Sequence, residues 1–292
     1  MQNQSPDLKK QTPKEIAEDN YTLHRRFDRM GRLIGDQKMK KLFNTHVMVL
    51  GLGGVGSWAA EAIARSGVGK ITLVDFDEIC ITNSNRQLHA ITGMVGEKKA
   101  YVMAARLKKI NPQCQVIGLA EFYSQENSSE LLGLRPDFII DAIDNLTAKS
   151  FLLSEVRRLK IPTITSTGAS ARLDPLQIKL VDLAETHTDP MAHQLRKILR
   201  QKYSFPEKGE FGIPCVFSSE IPTDPYELTY DNGEGFRCVC PHAENRPHSC
   251  DKRNVIYGNA GFVTGAFGLA MGSWVVRKAL DQDSNSGESW EQ

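Results

Sequence analysis

Cysteine is scarce: six residues in 292, at positions 80, 114, 215, 238, 240 and 250, with no CxxC pair among them. That excludes the disulfide frameworks that staple small secreted domains. Neither sign of charge is in excess either, since 36 Lys and Arg stand against 35 Asp and Glu. A net charge of +1 exerts no global pull on nucleic acid or an anionic membrane, so any such partner has to be met by a local patch. The first thirty residues contain no apolar core of the kind a secretory signal needs. The expected setting is therefore the reducing cytoplasm. What the chain does have is 40% hydrophobic residues over a length able to bury a substantial core.

Long apolar runs are equally scarce, with one exception. No residue between Arg253 and Arg277 is charged, and the run Val255 to Val276 is long enough to cross a bilayer as a helix. Gly258, Gly261, Gly265, Gly268 and Gly272 crowd it, however, and Asn259, Thr264 and Ser273 dilute it further. A buried helix packed closely on its neighbours through small residues is expected, with membrane contact through 255–276 as the alternative.

Composition also marks the ends. Residues 1–18 and 281–292 are polar and poor in aliphatics, and are expected as disordered tails. The body, 19–280, divides into a nucleotide-binding core (46–170), a loop-rich substrate and crossover region (171–258) and a C-terminal helix (259–280). Pro and Gly recur through the second of these.

The core carries the first motif. His46 to Leu50 is a short apolar run that ends in Gly51-Leu-Gly53-Gly54-Val-Gly56, and Ser57 to Arg65 has strongly helical composition. Lys70 to Val74 reads as a second strand, and Asp75 stands at its end. Strand, glycine turn, helix, strand and acid is the arrangement that brings a phosphate onto helix N-terminal N–H groups and a carboxylate onto ribose hydroxyls. Gln115–Leu119, Phe138–Ala142 and Pro162–Ser166 read as further strands, and Ala100–Ile110 and Ala148–Leu159 as helices. The expected fold class is α/β, a Rossmann-like, doubly wound, mostly parallel sheet with a loop-rich C-terminal extension and a terminal helix.

The fingerprint alone would suit NAD. Three more clusters favour ATP. Thr82-Asn83-Ser84-Asn85-Arg86-Gln87 offers two carboxamides and a guanidinium to a triphosphate. Gly96-Glu-Lys-Lys99 sets an amine at the start of a helix, and Asp141-Ala-Ile-Asp144-Asn145 presents a carboxylate suited to Mg²⁺ at a strand end. Hydride transfer has no need of such a phosphate clamp.

The series GLGGVGS, LVDFD, TNSNRQ, VGEKKA and DAIDN resembles the E1-like (ubiquitin-activating-type) adenylating superfamily over about residues 25–170. Within it the chain is most similar to the bacterial tRNA threonylcarbamoyladenosine dehydratases, through Arg26-Phe27, Arg32-Leu-Ile-Gly35, GGVGSWAAEA, TNSNRQLHA, Leu173-Asp174-Pro175 and Cys215-Val-Phe-Ser-Ser-Glu220. The resemblance implies an ATP site made of Gly51, Gly53, Gly54, Gly56, Asp75, Asn83, Asn85, Arg86, Lys99, Asp144 and Asn145. Arg86, Lys99 and Asp144 would be the catalytic residues, the last of them on Mg²⁺. The implied reaction activates the threonyl carboxylate of the modified adenosine beside the tRNA anticodon, releases pyrophosphate and then AMP, and leaves a cyclised, dehydrated nucleoside. Adenylation of the C-terminal glycine of a ubiquitin-like sulfur-carrier protein is the alternative within the superfamily. The resemblance further implies a homodimer, with Arg29 or Arg32 reaching the partner's nucleotide, a tRNA substrate, and cysteine desulfurases or other sulfur-relay proteins as partners. Basic clusters for RNA occur at 25–32, 38–41, 157–160 and 196–202. Cys238, Cys240 and Cys250 make a compact set able to bind Zn²⁺, although CxC is a less usual ligand spacing. Cys215, in the CVFSSE segment, is either near the site or a small core residue.

Overall fold

Short continuous apolar runs, too short for helices and bounded by polar or glycine turns, dictate a buried parallel sheet. The computed structural model describes residues 21–226, 228 and 257–281. Ahead of the first strand come α1 (Asp28–Ile34) and α2 (Asp36–Asn44). There follow β1 (His46–Leu50), α3 (Gly56–Arg65), β2 (Lys70–Val74), α4 (Lys99–Ile110), β3 (Gln115–Leu119), α5 (Ser128–Leu132), β4 (Phe138–Asp141), α6 (Leu146–Leu159) and β5 (Thr163–Ser166). The described elements end with β6 (Ile178–Asp182), α7 (Pro190–Tyr203), β7 (Pro214–Ser218) and α8 (Gly261–Asp281).

One seven-stranded sheet runs β3-β2-β1-β4-β5-β7-β6. Every pairing is parallel except that of β6 with β7. The chain winds outward from β1 to β3 and then restarts on the other side at β4. This reversal leaves a crevice beyond the carboxyl ends of β1 and β4, where ligands settle in open α/β sheets.

Alternating side chains feed two cores. Val47 and Val49 of β1 pack with α3 and α8, whereas Met48 and Leu50 pack with α6 and α7 on the opposite face. α6 begins at Leu146, two residues before its apolar pattern, because the Asn145 side chain accepts the Ala148 N–H at 3.0 Å and caps the helix. In the region expected to be loop-rich, Asp189 caps and Pro190 opens the 14-residue helix α7.

Helix α8 explains the uncharged glycine-rich run. Val263, Phe267, Met271 and Val275, four residues apart, have no exposed surface, and each such side chain stabilises the fold by roughly 1.5–3 kcal/mol. The glycines let α8 descend onto α3: a Cβ on Gly268 would overlap the Val55 carbonyl oxygen, and one on Gly272 would stand 2.8 Å from Ala62 Cβ. No helix among the described residues is long and apolar enough to cross a membrane.

Candidate functional site

The glycine turn between β1 and α3 is shaped by close backbone contact. Gly51 has φ of +85°, and a Cβ there would stand 2.6 Å from the Ala142 carbonyl oxygen. Any side chain is excluded on both counts. A Cβ on Gly56 would overlap the Gly51 carbonyl oxygen, so the first turn of α3 sits directly on the loop. Gly53 differs: the nearest atom to a Cβ there is the end of the Gln87 side chain at 4.0 Å. That open space lies over a helix whose N-terminus has no side-chain cap; the Ser57 N–H donates back to the Gly53 carbonyl at 3.2 Å, and the positive end of the helix dipole faces the space where an anion would sit.

Asp75 braces this turn. One carboxylate oxygen accepts the Leu52 N–H at 2.6 Å, and the other accepts the Asp77 N–H at 2.8 Å. Burial pushes its pKa above the ordinary carboxylate range; Lys99 opposes the shift and Asp77 adds to it. Lys99 opens α4 and is itself buried, with Nζ 2.7 Å from Asp77 Oδ2. Burial works against its charge, but Asp75, Asp77 and, further off, Asp144 outweigh it and hold the ammonium above its usual pKa. The carboxylates around it thus favour the charged form of Lys99, beside the end of β2.

The 82–87 segment forms the facing wall. The indole N–H of Trp58 on α3 donates to the Arg86 carbonyl at 3.1 Å, and Arg86 Cγ would be 3.2 Å from a Cβ on Gly54. Arg86 Nη1 donates to the Thr82 carbonyl at 2.8 Å and to Asn85 Oδ1 at 2.9 Å. Asn85 in turn donates to the main-chain carbonyl of Asn259 at 2.9 Å. Asn83 is buried, and its side-chain carbonyl accepts the Cys80 N–H at 3.1 Å, closing the turn in front of the segment. On the β4 side, Asp144 is exposed and Asn145 caps α6.

Of the residues singled out in the sequence, the turn glycines, Asp75, Arg86, Lys99 and Asp144 come together at the carboxyl ends of β1, β2 and β4. Asn83 and Asn145 serve the local backbone with their side-chain carbonyls. Arg29 and Arg32 are exposed on α1, and Arg32 pairs with Asp28 of its own helix at 3.0 Å. Cys215 is an interior residue of β7 whose thiol is pushed up to about 12, burial being the main cause. Cys238, Cys240 and Cys250 lie outside the described residues, and among the described residues no group of three His, Cys, Asp or Glu side chains could hold a metal. Sequence reasoning missed Asp77 as the partner of Lys99, Asn259 as the anchor of Asn85, and Lys149, whose fully buried ammonium pairs with Asp141 at 2.7 Å. Asp77 sits in the quoted LVDFD motif; for the other two, no local pattern signals the pairing.

The arrangement can bind a nucleoside triphosphate: an open glycine turn at a helix end, a guanidinium and a buried ammonium beside it, and one exposed carboxylate opposite. The model of the ThiF family matches residues 27–290. The tRNA threonylcarbamoyladenosine dehydratase of Escherichia coli (strain K12) is 39% identical over 264 residues, 90% of this chain and 96% of that protein. A crystal structure of the E. coli dehydratase in complex with ATP superposes with a TM-score of 0.76 at 37% identity, covering 90% of this chain and 96% of that one. The E. coli sulfur carrier protein ThiS adenylyltransferase is 30% identical over 129 residues, 44% of this chain and 51% of that protein.

Proposed function

From the premise that this chain belongs to the ThiF family, we propose that it is an ATP-dependent tRNA threonylcarbamoyladenosine dehydratase. One observation carries the reading. The glycine turn, Arg86, Lys99 and Asp144 converge on a single crevice, in a chain that matches a dehydratase over 96% of that protein's length, far beyond the adenylation core.

A carboxylate resists substitution because the leaving group would be an oxide. Attack of a carboxylate oxygen of the threonyl group on the α-phosphorus forms one P–O bond and breaks the bond to the β-phosphate, whose electron pair leaves with pyrophosphate. An internal nucleophile of the same side chain then attacks the acyl carbon, and AMP departs with the former carboxylate oxygen. The nucleoside has lost one water, and no thioester on the enzyme is needed.

In this reading the chain positions the reactants and neutralises charge. The turn from Gly51 to Gly56 and the α3 N-terminus receive phosphate oxygens, Asp75 faces the ribose, and Arg86 and Lys99 offset the charge that builds on the transferring phosphorus. Asn83 and Asn85 hold the Arg86 segment in place. Mg²⁺ fits one exposed carboxylate such as Asp144 completed by the nucleotide's own oxygens, the usual environment of that ion, and would add further charge neutralisation. The reading also takes in a cytoplasmic homodimer acting on tRNA through a local basic track.

The test is mass-resolved nucleoside analysis. With ATP, Mg²⁺ and tRNA carrying threonylcarbamoyladenosine, the nucleoside should lose the mass of one water while pyrophosphate and AMP appear in equal amounts. An intact nucleoside after incubation with folded, ATP-binding protein would refute the proposal. Adenylation of a sulfur-carrier protein would instead give pyrophosphate exchange that depends on that protein and ignores tRNA. The short match to the ThiS enzyme and the missing CxxC pairs count against it.

A further inference from the structure

The ion pair between Asp141 and Lys149 has no part in the chemistry above, and it is costly. Both side chains are wholly buried, with Nζ 2.7 Å from Oδ2. Burying two charges forfeits their hydration, and an apolar pair of similar size is often at least as stable. Cohesion alone therefore does not account for this pair.

What it holds does. Asp141 ends β4, and its Oδ2 also receives the Thr165 hydroxyl at 2.7 Å. Its Oδ1 accepts the Ile143 N–H at 3.1 Å, which fixes the first peptides beyond the strand. Those peptides wall the glycine turn: a Cβ on Gly51 would stand 2.6 Å from the Ala142 oxygen and 3.1 Å from the Ile143 nitrogen. The next residue is Asp144. Lys149 lies in the first turn of α6, just beyond the far end of the same loop, where its N–H makes the regular helical bond to the Asn145 carbonyl at 2.9 Å. Its side chain thus ties the first turn of α6 back to the start of the 141–145 loop.

We propose that Lys149 and Asp141 are positioning residues of the nucleotide site. Lys149 holds Asp141, Asp141 holds the Ala142–Ile143 peptide against Gly51, and the direction of the Asp144 carboxylate is set as a result. The inference rests on the reading of this crevice as an ATP site, and its test needs no tRNA.

The test pairs Asp141→Leu with Lys149→Met, which removes both charges together and takes the acceptor from Ile143. Thermal stability should stay near that of the unaltered chain, while the Kd for ATP, measured by titration calorimetry with Mg²⁺, weakens about tenfold or more because the wall is misplaced. Asp144→Ala should then cost several-fold less ATP affinity in the apolar background than in the unaltered chain, since Asp144 is already misdirected. A purely cohesive pair would leave the Asp144→Ala effect the same in both backgrounds, and that result overturns the proposal. Should the double variant not fold, Thr165→Val removes one bond to the same carboxylate at constant shape, and about two- to threefold weaker ATP binding is expected. Unchanged ATP affinity there overturns it equally. An unaltered chain that binds ATP yet leaves tRNA unmodified would count against the dehydratase reading and not against this one.

Discussion

Replacing Lys99 by Met separates the two duties of that lysine. The side chain is 7% exposed and its ammonium sits 2.7 Å from Asp77, which is 37% exposed. Breaking a fully buried pair costs about 3–5 kcal/mol, but water screens Asp77, so about 1–3 kcal/mol is the reasonable figure. In a domain of this size that lowers Tm by roughly 2–4 °C per kcal/mol. The deficit should depend on pH, and its sign follows from Asp75. Burial raises that carboxyl's pKa in the folded protein, and Lys99 is the group that opposes the rise. A carboxyl with a raised folded pKa favours the folded state while it is protonated and loses that advantage as pH climbs through the folded value. Without Lys99 the folded value climbs further, so the Tm deficit of Lys99→Met should be largest near pH 8 and shrink toward pH 5. Activity should behave differently. Loss of one preorganised cation facing a developing phosphorane costs about 10²–10³ in rate, and no pH in that range restores it. Differential scanning fluorimetry from pH 5 to 8 and pyrophosphate release read the two effects side by side. A deficit that is flat with pH, or a rate within a few-fold of the unaltered protein, would refute the assignment of Lys99 to both roles.

Two glycines of one turn should part company. Gly51→Ala meets the Ala142 oxygen at a φ of +85° and should lose about 1–3 kcal/mol of stability in urea unfolding. Gly53→Ala meets only the end of Gln87 at 4.0 Å, so stability should hold while ATP affinity in calorimetry falls. Phe267→Ala, at 0% exposure, should cost about 3–5 kcal/mol in the same unfolding assay, whereas Phe262→Ala, 61% exposed on the same helix, should be nearly neutral. Cys215, fully buried with its thiol near 12, should resist iodoacetamide in the native protein and react only on denaturation, as intact-mass analysis with peptide mapping will show.

Much of this site was legible because its elements are local in sequence. Strands 46–50, 70–74 and 115–119 are where apolar runs set them, and the turn glycines, Asp75 and Lys99 follow directly at strand or helix ends. Boundaries slipped where a cap decided them: Asn145 starts α6 two residues before its apolar face. Pairings across the chain were invisible for a different reason. Asn85 is tied to a carbonyl 174 residues away, a contact that exists only once the fold has brought the C-terminal segment to the crevice, and Lys149, although only eight residues from Asp141, stands in a stretch whose pattern does not mark a lysine with no exposed surface.

That last contact changes the meaning of the glycine-rich C-terminal helix. Read as a linear run, its small-residue spacing serves a tight helix pair, the expected reading, and a bilayer span as well. Its first residue decides what the closeness is for. A Cβ on Gly261 would stand 2.5 Å from the Asn85 carbonyl oxygen, and Thr264 Oγ1 would be 3.0 Å from a Cβ on Gly54. Just ahead of the helix, Asn259 takes the Asn85 amide with its carbonyl and receives the Ser170 hydroxyl at 2.9 Å on its side chain. The start of α8 therefore joins the glycine turn, the Arg86 segment and the loop after β5. Glycine is needed along α8 because a helix with ordinary side chains would stand off α3 by several ångströms, and Asn259 and Thr264 would no longer reach the crevice. The helix that most resembled a membrane segment is the fourth wall of this crevice.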